Sequence, residues 1–235
     1  MAALYAELLG MRSCSRADYY REAGWPADEG DELDPLVLDD DPGRPNIAFE
    51  VETSTFRAPQ WPDPAHPQQA HLDVLVADLD AAQEVVSRHG ASLLATFDDH
   101  RVYADVIGHP FCLYAGGEAR ARIARIVLDG AEPRALARFW GELLDLAETA
   151  LDTPERVEIA RADGLGPALA FQHSLGPPPR WPDPAHPQQL HVDLDADDPE
   201  AARHRAEHVG AVPLPYLGGG RAYADPAGHP FCLGD

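Results

Sequence analysis

The chain has 235 residues, 45% hydrophobic and 25% charged, enough apolar material for a core without covalent staples. Its 40 acids stand against 18 bases, all arginine, so the net charge of −22 repels phosphate backbones and argues against nucleic-acid binding. Three cysteines (Cys14, Cys112 and Cys232) are too few for a disulfide framework, no apolar run approaches the roughly 20 residues of a membrane span, and no signal-peptide pattern opens the chain, so a cytoplasmic protein is expected.

In chain order, Leu4–Leu9 reads as the first helix. The first copy of a long repeat begins at Trp61. Trp61-Pro-Asp-Pro-Ala-His-Pro-Gln-Gln69 recurs unchanged as Trp181–Gln189, a shift of 120. The same shift carries His71-Leu-Asp73 onto His191-Val-Asp193, Tyr103-Ala-Asp105 onto Tyr223-Ala-Asp225, and Gly108–Leu113 onto Gly228–Leu233. Residues 61–113 and 181–233 share 27 identities in 53 positions, so the two stretches must share a fold of domain size. The expected domains are 1–115 and 122–235, joined at 116–121.

The second copy shows the grain within each domain. Ile123–Leu128 is a β-branched strand, broken at Asp129-Gly130. Pro133 suits a helix N1 position, and Leu136, Phe139, Trp140, Leu143 and Leu144 recur at helical spacing. Val157–Ala160 and Ala168–Gln172 read as a strand pair. A proline-rich loop follows, and then the pattern restarts. Leu190–Leu194 is a strand, Asp198-Pro199 caps a helix that stops at Gly210, and strands fall near Val212–Pro215 and Arg221–Ala224 about a Gly218-Gly-Gly220 turn. Phe231–Leu233 closes the module. The fold class is α+β, with βαβββ-like modules occurring four times and helices on one face of each sheet.

The first helix aligns with the second copy as Leu4–Leu9 on Phe139–Leu144, a shift of 135. The strand that opens the second copy then has no counterpart after Met1, and the first sheet should be one strand short. An upstream start of the chain is the favoured explanation; filling of the gap by another segment, such as a partner's strand, is the other.

Arg138-Phe-Trp-Gly-Glu-Leu-Leu144, the strands His71-Leu-Asp-Val and His191-Val-Asp-Leu, and the turns Asp105-Val-Ile-Gly-His-Pro-Phe and Asp225-Pro-Ala-Gly-His-Pro-Phe resemble the motifs of the glyoxalase/bleomycin-resistance (vicinal oxygen chelate) superfamily. The likeness covers nearly the whole chain and is nearest to tandem glyoxalase-like domain proteins of the actinobacterial type. It implies two tandem domains of paired modules, each expected to form a cup within its own copy. It also implies metal-ligand positions on the first and last strands of each module. In the first copy these fall near Glu50 and at His71 and Cys112, with one position absent. In the second they fall near Arg125 or Ile126, which cannot serve, near Gln172, and at His191 and Cys232.

A catalytic zinc wants three protein ligands and an open position, which Glu50, His71 and Cys112 would supply if they converge. No catalytic metal is expected in the second copy. His71 and Asp73, two apart on a strand, share a face, as do His191 and Asp193, and they read as polar pocket groups. Trp61 and Trp181 either rim a pocket and stack on a ligand or pack with their prolines. His109 and His229 read as surface turn residues. His204-Arg-Ala-Glu207-His208 matches a zinc pattern formally, but its counterparts in the first copy make it a polar helix face. Two functions are carried forward. The first is a protein binding a small, largely apolar or aromatic compound, without a complete metal site, in a sequestration or resistance role. It would use His71, Asp73, Cys112 and Trp61 in one copy and His191, Asp193, Gln172, Cys232 and Trp181 in the other. The second is a lyase, isomerase or dioxygenase with a divalent metal on Glu50, His71 and Cys112. The expected partner is a small molecule, with neither nucleic acid nor membrane, and a homodimer stays open.

Overall fold

The computed structural model describes residues 1–24, 26, 34–39, 45–50, 57–146, 148–183, 185–215 and 221–234. Helix α1 (Ala2–Leu9) buries Leu4, Tyr5, Leu8 and Leu9 and ends at Gly10, whose φ of 63° is a left-handed cap that glycine adopts without strain. Strand β1 (Arg12–Ser15) leads into α2 (Arg16–Ala23), where the Ser15 hydroxyl accepts from the Asp18 amide at 3.0 Å. Strands β2 (Pro35–Leu38) and β3 (Ile47–Ala48) follow. The repeat then supplies β4 (Ala70–Val76), α3 (Leu79–Arg88), β5 (Ser92–Thr96), β6 (His100–Ala104) and β7 (Pro110–Ala115).

The second copy contributes β8 (Arg122–Gly130), α4 (Pro133–Leu144), β9 (Glu148–Asp152), β10 (Arg156–Ala160) and β11 (Ala168–His173). It ends with β12 (Val192–Leu194), α5 (Pro199–His208), β13 (Val212–Pro213), β14 (Arg221–Ala224) and β15 (Pro230–Leu233). The caps expected at helix α5 are present: Asp198 accepts from the Ala201 amide at 3.0 Å and Pro199 stands at N1. The Gly218–Gly220 turn lies outside the described residues.

One reading is corrected, and one strand had no sequence signal. Asp129 and Gly130 do not end their strand, because β11 runs parallel beside β8 and holds them in register with Gln172 and His173. The edge strand β9 lacks the apolar alternation that would announce it, and it forms because β10 supplies an antiparallel partner.

The strands form three sheets, ordered β1-β2-β3, β5-β6-β7-β4-β8-β11-β10-β9 and β12-β15-β14-β13. In three modules the opening strand runs parallel to the closing one: β4 with β7, β8 with β11, β12 with β15. The β1-β2-β3 sheet is antiparallel throughout and has no such pair among the described residues, so it is one strand shorter than the β12–β15 sheet. Repeat identity dictates how a module folds but leaves open which strand edge it meets.

By packing, the chain divides into two units: Met1–Ser54 with Leu72–Ala124 and Leu165–Pro167, and Thr55–His71 with Arg125–Gly164 and Ala168–Asp235. In the first, Tyr5 lies against Phe49 and Phe111, with centroids 5.7 and 5.8 Å away. In the second, Leu136, Phe139, Trp140 and Leu143 of α4 pack on Val157, Ile159, Leu169, Phe171 and Phe231.

Candidate functional site

Alternation along β4 sets Leu72, Val74 and Val76 on one face and His71 and Asp73 on the other. Asp73 stands in register with Cys112 of β7. His71, Asp73 and Cys112 are 5%, 0% and 7% exposed, and a ligand atom from each lies within 4.8 Å of the others. His191, Asp193 and Cys232 repeat the arrangement on β12 and β15, within the same limit. There the His191 Nε2 lies 3.3 Å from an Asp193 oxygen, and the Asp193 side chain is 63% exposed. The sequence repeat thus places one nitrogen, one oxygen and one sulfur donor together twice, buried in the first copy and open in the second.

This differs from the donor set read from sequence. Glu50 is not in the first group; it is half exposed and lies 3.7 Å from the Arg16 guanidinium. Asp73 takes its place because residues two apart on a strand must share a face, while Glu50 belongs to a different segment. Gln172 on β11 aligns with Asp129 of β8 and Arg156 of β10. Arg125, excluded as a ligand by its charge, donates from Nε to Glu158 at 3.0 Å. The His–Asp–Cys donor chemistry suits a borderline-soft ion such as Zn²⁺, which accepts imidazole, carboxylate and thiolate together; a hard ion wanting oxygen donors alone fits poorly.

Around His71 lie groups that sequence reading missed. The Gln68 amide nitrogen is 3.1 Å from His71 Nδ1, and Gln68 also hydrogen-bonds Asp129. Asp129 is buried, and its Oδ1 has no hydrogen-bond partner. Burial pushes its carboxyl above the usual carboxylate range, against the opposing pull of His71, Gln68, His229 and Arg156. On the same strand face, Glu158 accepts from Arg125 through one oxygen and from Arg156 through the other, at 3.0 and 2.8 Å.

The identical Trp61–Gln69 and Trp181–Gln189 loops have a structural task. Each turns on an aspartate: Asp63 accepts from the Ala65 amide and Asp183 from the Ala185 amide, both at 2.9 Å. Trp61-Pro62 and Trp181-Pro182 are both cis. The two loops then meet reciprocally. The Gln69 amide donates to Gln189 Oε1 at 2.9 Å and the Gln189 amide to Gln69 Oε1 at 3.0 Å. Each side-chain NH₂ donates to the proline carbonyl of the opposite loop, at 3.0 Å. Trp61 and Trp181 are half-buried beside this joint.

His109 and His229 are not surface turn residues, as their position in a Gly-His-Pro turn suggested; they are 8% and 2% exposed. His229 donates from Nδ1 to Asp225 at 3.1 Å and from Nε2 to the Gln69 carbonyl at 3.1 Å. A ring donating from both nitrogens is an imidazolium. Burial alone would lower its pKa, but the hydrogen bond and charge of Asp225 outweigh that and raise it. Asp225 also accepts from Trp140 Nε1 at 3.1 Å, which ties the turn to α4. All three cysteines are free thiols, and among the described residues no helix is long and apolar enough to cross a membrane.

A family model described as the glyoxalase-like domain matches the chain twice, over residues 1–114 and 125–234. Glyoxalase I from Zea mays is similar in structure over 98% of this chain and 85% of its own, at 13% identity and a TM-score of 0.66. A presumptive dioxygenase from Bacillus subtilis is similar over 99% of this chain and 79% of its own, at 14% identity and a TM-score of 0.60. Identities this low speak for the fold alone. No curated protein matches the chain. The two matches of the family model cover nearly every residue, and so this chain belongs to the glyoxalase-like domain family of the vicinal oxygen chelate superfamily, with two domains in tandem.

Proposed function

We propose that this chain is a small-molecule-binding protein, with tandem domains at 1–115 and 122–235. Its ligand lies on the strand faces marked by His71, Asp73 and Cys112, which are buried, and by His191, Asp193 and Cys232, which are more open. The observation that carries this reading is the fate of the outlying ligand positions. Arg125 is tied to Glu158, Gln172 aligns with Asp129, and Glu50 lies beside Arg16, which favours a pocket without the family's full ligand set. The face is more polar than the apolar lining expected from sequence, and sequestration of a compound with polar groups suits it. The net charge of −22 opposes any nucleic-acid partner.

A second reading has its own support. The buried His71, Asp73 and Cys112 could hold a divalent ion, and the same three residue types recur in the second copy. Such an ion would act as a Lewis acid in a lyase, isomerase or dioxygenase reaction. His71 would supply an imidazole, Cys112 a thiolate and Asp73 a carboxylate, with Gln68 orienting the ring at Nδ1. Elemental analysis of chain purified without a histidine tag, followed by Co²⁺ titration, separates the two readings. Metal content far below one ion per chain and no thiolate-to-cobalt absorption support the binding protein. One tightly held ion per chain, with the absorption lost in Cys112→Ser, overturns it in favour of the metal site.

A further inference from the structure

Strand β5 is an outermost strand and pairs with β6 on one side. Among the described residues no strand pairs with its other side, and a bare edge of N–H and C=O groups is a template for another strand. Its surroundings are apolar as well. Of nine exposed large hydrophobic side chains among the described residues, five lie between positions 93 and 107: Leu93, Leu94, Phe97, Val106 and Ile107. Phe97 is 48% exposed, with its ring stacked on that of His100, and Val106 is 53% exposed. The Val106 turn lies beside the start of β5, where a Cβ added to Gly90 would come within 3.1 Å of the Val106 side chain. Residues 90–97 carry no charge, in a chain with 40 acids and 18 bases. A lone exposed leucine means little, but a group of apolar side chains along an unpaired edge marks a contact surface.

The repeat shows that this edge could have been closed. The shift of 120 carries Leu93 onto Pro213 and Ala95 onto Pro215. Pro213 has no N–H, yet it stands in register with Tyr223 of β14 as Leu93 stands in register with Tyr103 of β6. The missing N–H is therefore one that would point away from the sheet, where proline blocks an incoming strand without breaking the ladder. The first copy has leucine and alanine instead. The other five-residue edge strand, β9, carries the exposed Asp152. Of these three edges, only β5 has neither proline nor charge.

The two ends of β5 differ in charge. Arg88 precedes the strand, and Asp98 and Asp99 follow it; all three are exposed, although Arg88 also pairs with Glu7 and Asp99 with His100. When two β5 strands pair antiparallel about a twofold axis, the basic entrance of each meets the acidic exit of the other, with the neutral apolar stretch between them. A parallel arrangement would set like charges together. The twofold pairing uses the same edge on both chains and so closes at two copies.

We propose that β5 is a self-association edge, through which two copies of this chain pair antiparallel, with Leu93, Leu94, Phe97, Val106 and Ile107 of each covering the seam. The proposal stands independently of the ligand reading above. The contact is much smaller than the roughly 20–30 residues a side of a standard interface, so the association is weak, with a dissociation constant on the order of 100 μM.

The experiment measures the mass of the full chain by sedimentation equilibrium from about 5 μM to about 500 μM in about 150 mM sodium chloride, where a Debye length of about 8 Å screens the net charge. The mass should rise from that of one chain toward twice that value and no further, and hydrogen exchange at the β5 amides should slow as concentration rises. Leu93→Pro copies the proline that the equivalent strand accepts, and Leu94→Glu sets a charge into the neutral stretch. Each should weaken the dimer about tenfold or more while keeping the wild-type circular dichroism. Leu151→Glu on β9 should leave the dimer as it is. A chain that stays single at the highest concentration leaves the edge to a different partner and refutes the proposal. Growth beyond two copies refutes it too, as does a dimer that survives both Leu93→Pro and Leu94→Glu.

Discussion

At Asp129, burial works against ionisation, and Oδ1 gains no hydrogen bond in return. A carboxyl whose folded pKa is raised is favoured by folding in its protonated form. Its contribution is greatest in acid and is lost as pH rises from the ordinary carboxylate range through the raised value. Asp129→Asn should therefore stabilise the chain at pH 7, by about 1–3 kcal/mol, the usual cost of a buried polar atom left unpaired. Urea midpoints at pH 4.5 and pH 7 check this; the gain should shrink at the lower pH, and a loss of stability at pH 7 would count against it. His229 depends on pH in the same sense, but because it gains a charged partner. Its folded pKa is raised, so the pairing with Asp225 is complete below the ordinary imidazole range and is lost as pH climbs through the folded value. His229→Gln should cost about 2–3 kcal/mol at pH 6, a charge-assisted hydrogen bond's worth, and less at pH 9. An NMR titration of the His229 ring should place its transition above that of an exposed histidine. Sequence could show neither effect, because burial of a single side chain depends on what covers it. His229 reads as a surface turn residue from its Gly-His-Pro setting, but its ring is held between Asp225 and the Gln69 carbonyl.

Among the elements, amphipathic segments were legible and partnered edges were not. Helix α4 follows from its apolar spacing, and α5 from its Asp-Pro start. Strand β9 and the continuation of β8 through Gly130 depend on neighbouring strands, so their own residues announce little. The Trp61–Gln69 and Trp181–Gln189 loops were legible as a repeat, yet the reason for their identity lies in the joint between them. Two loops that exchange the same four hydrogen bonds must change together. Gln69→Ala and Gln189→Ala should each cost about 1–2 kcal/mol, from the bonds each side chain makes. In a double-mutant cycle the two should be coupled by about 0.5–2 kcal/mol. Additive losses in chemical denaturation would show that the loops act independently.

For the whole molecule, a net charge of −22 on 235 residues means that the folded state repels itself. Raising the salt concentration from about 10 mM to about 150 mM shortens the Debye length from about 30 Å to about 8 Å and should raise Tm by a few degrees. A Tm unchanged or lowered by sodium chloride would mean that paired charges, such as Arg125 and Arg156 with Glu158, matter more than the net excess. The sequence by itself determined the α+β class, the tandem repeat, the family, and the His71, Asp73 and His191, Asp193 faces. These follow from periodicity and from identity between copies, which are properties of the string. Only the tertiary structure decided that Asp73 rather than Glu50 joins His71 and Cys112, and that Arg125 and Arg156 converge on Glu158. It also decided which strands share a sheet. Those outcomes rest on which distant segments come within a few ångströms of one another, and strand register across a sheet settles that where residue type cannot.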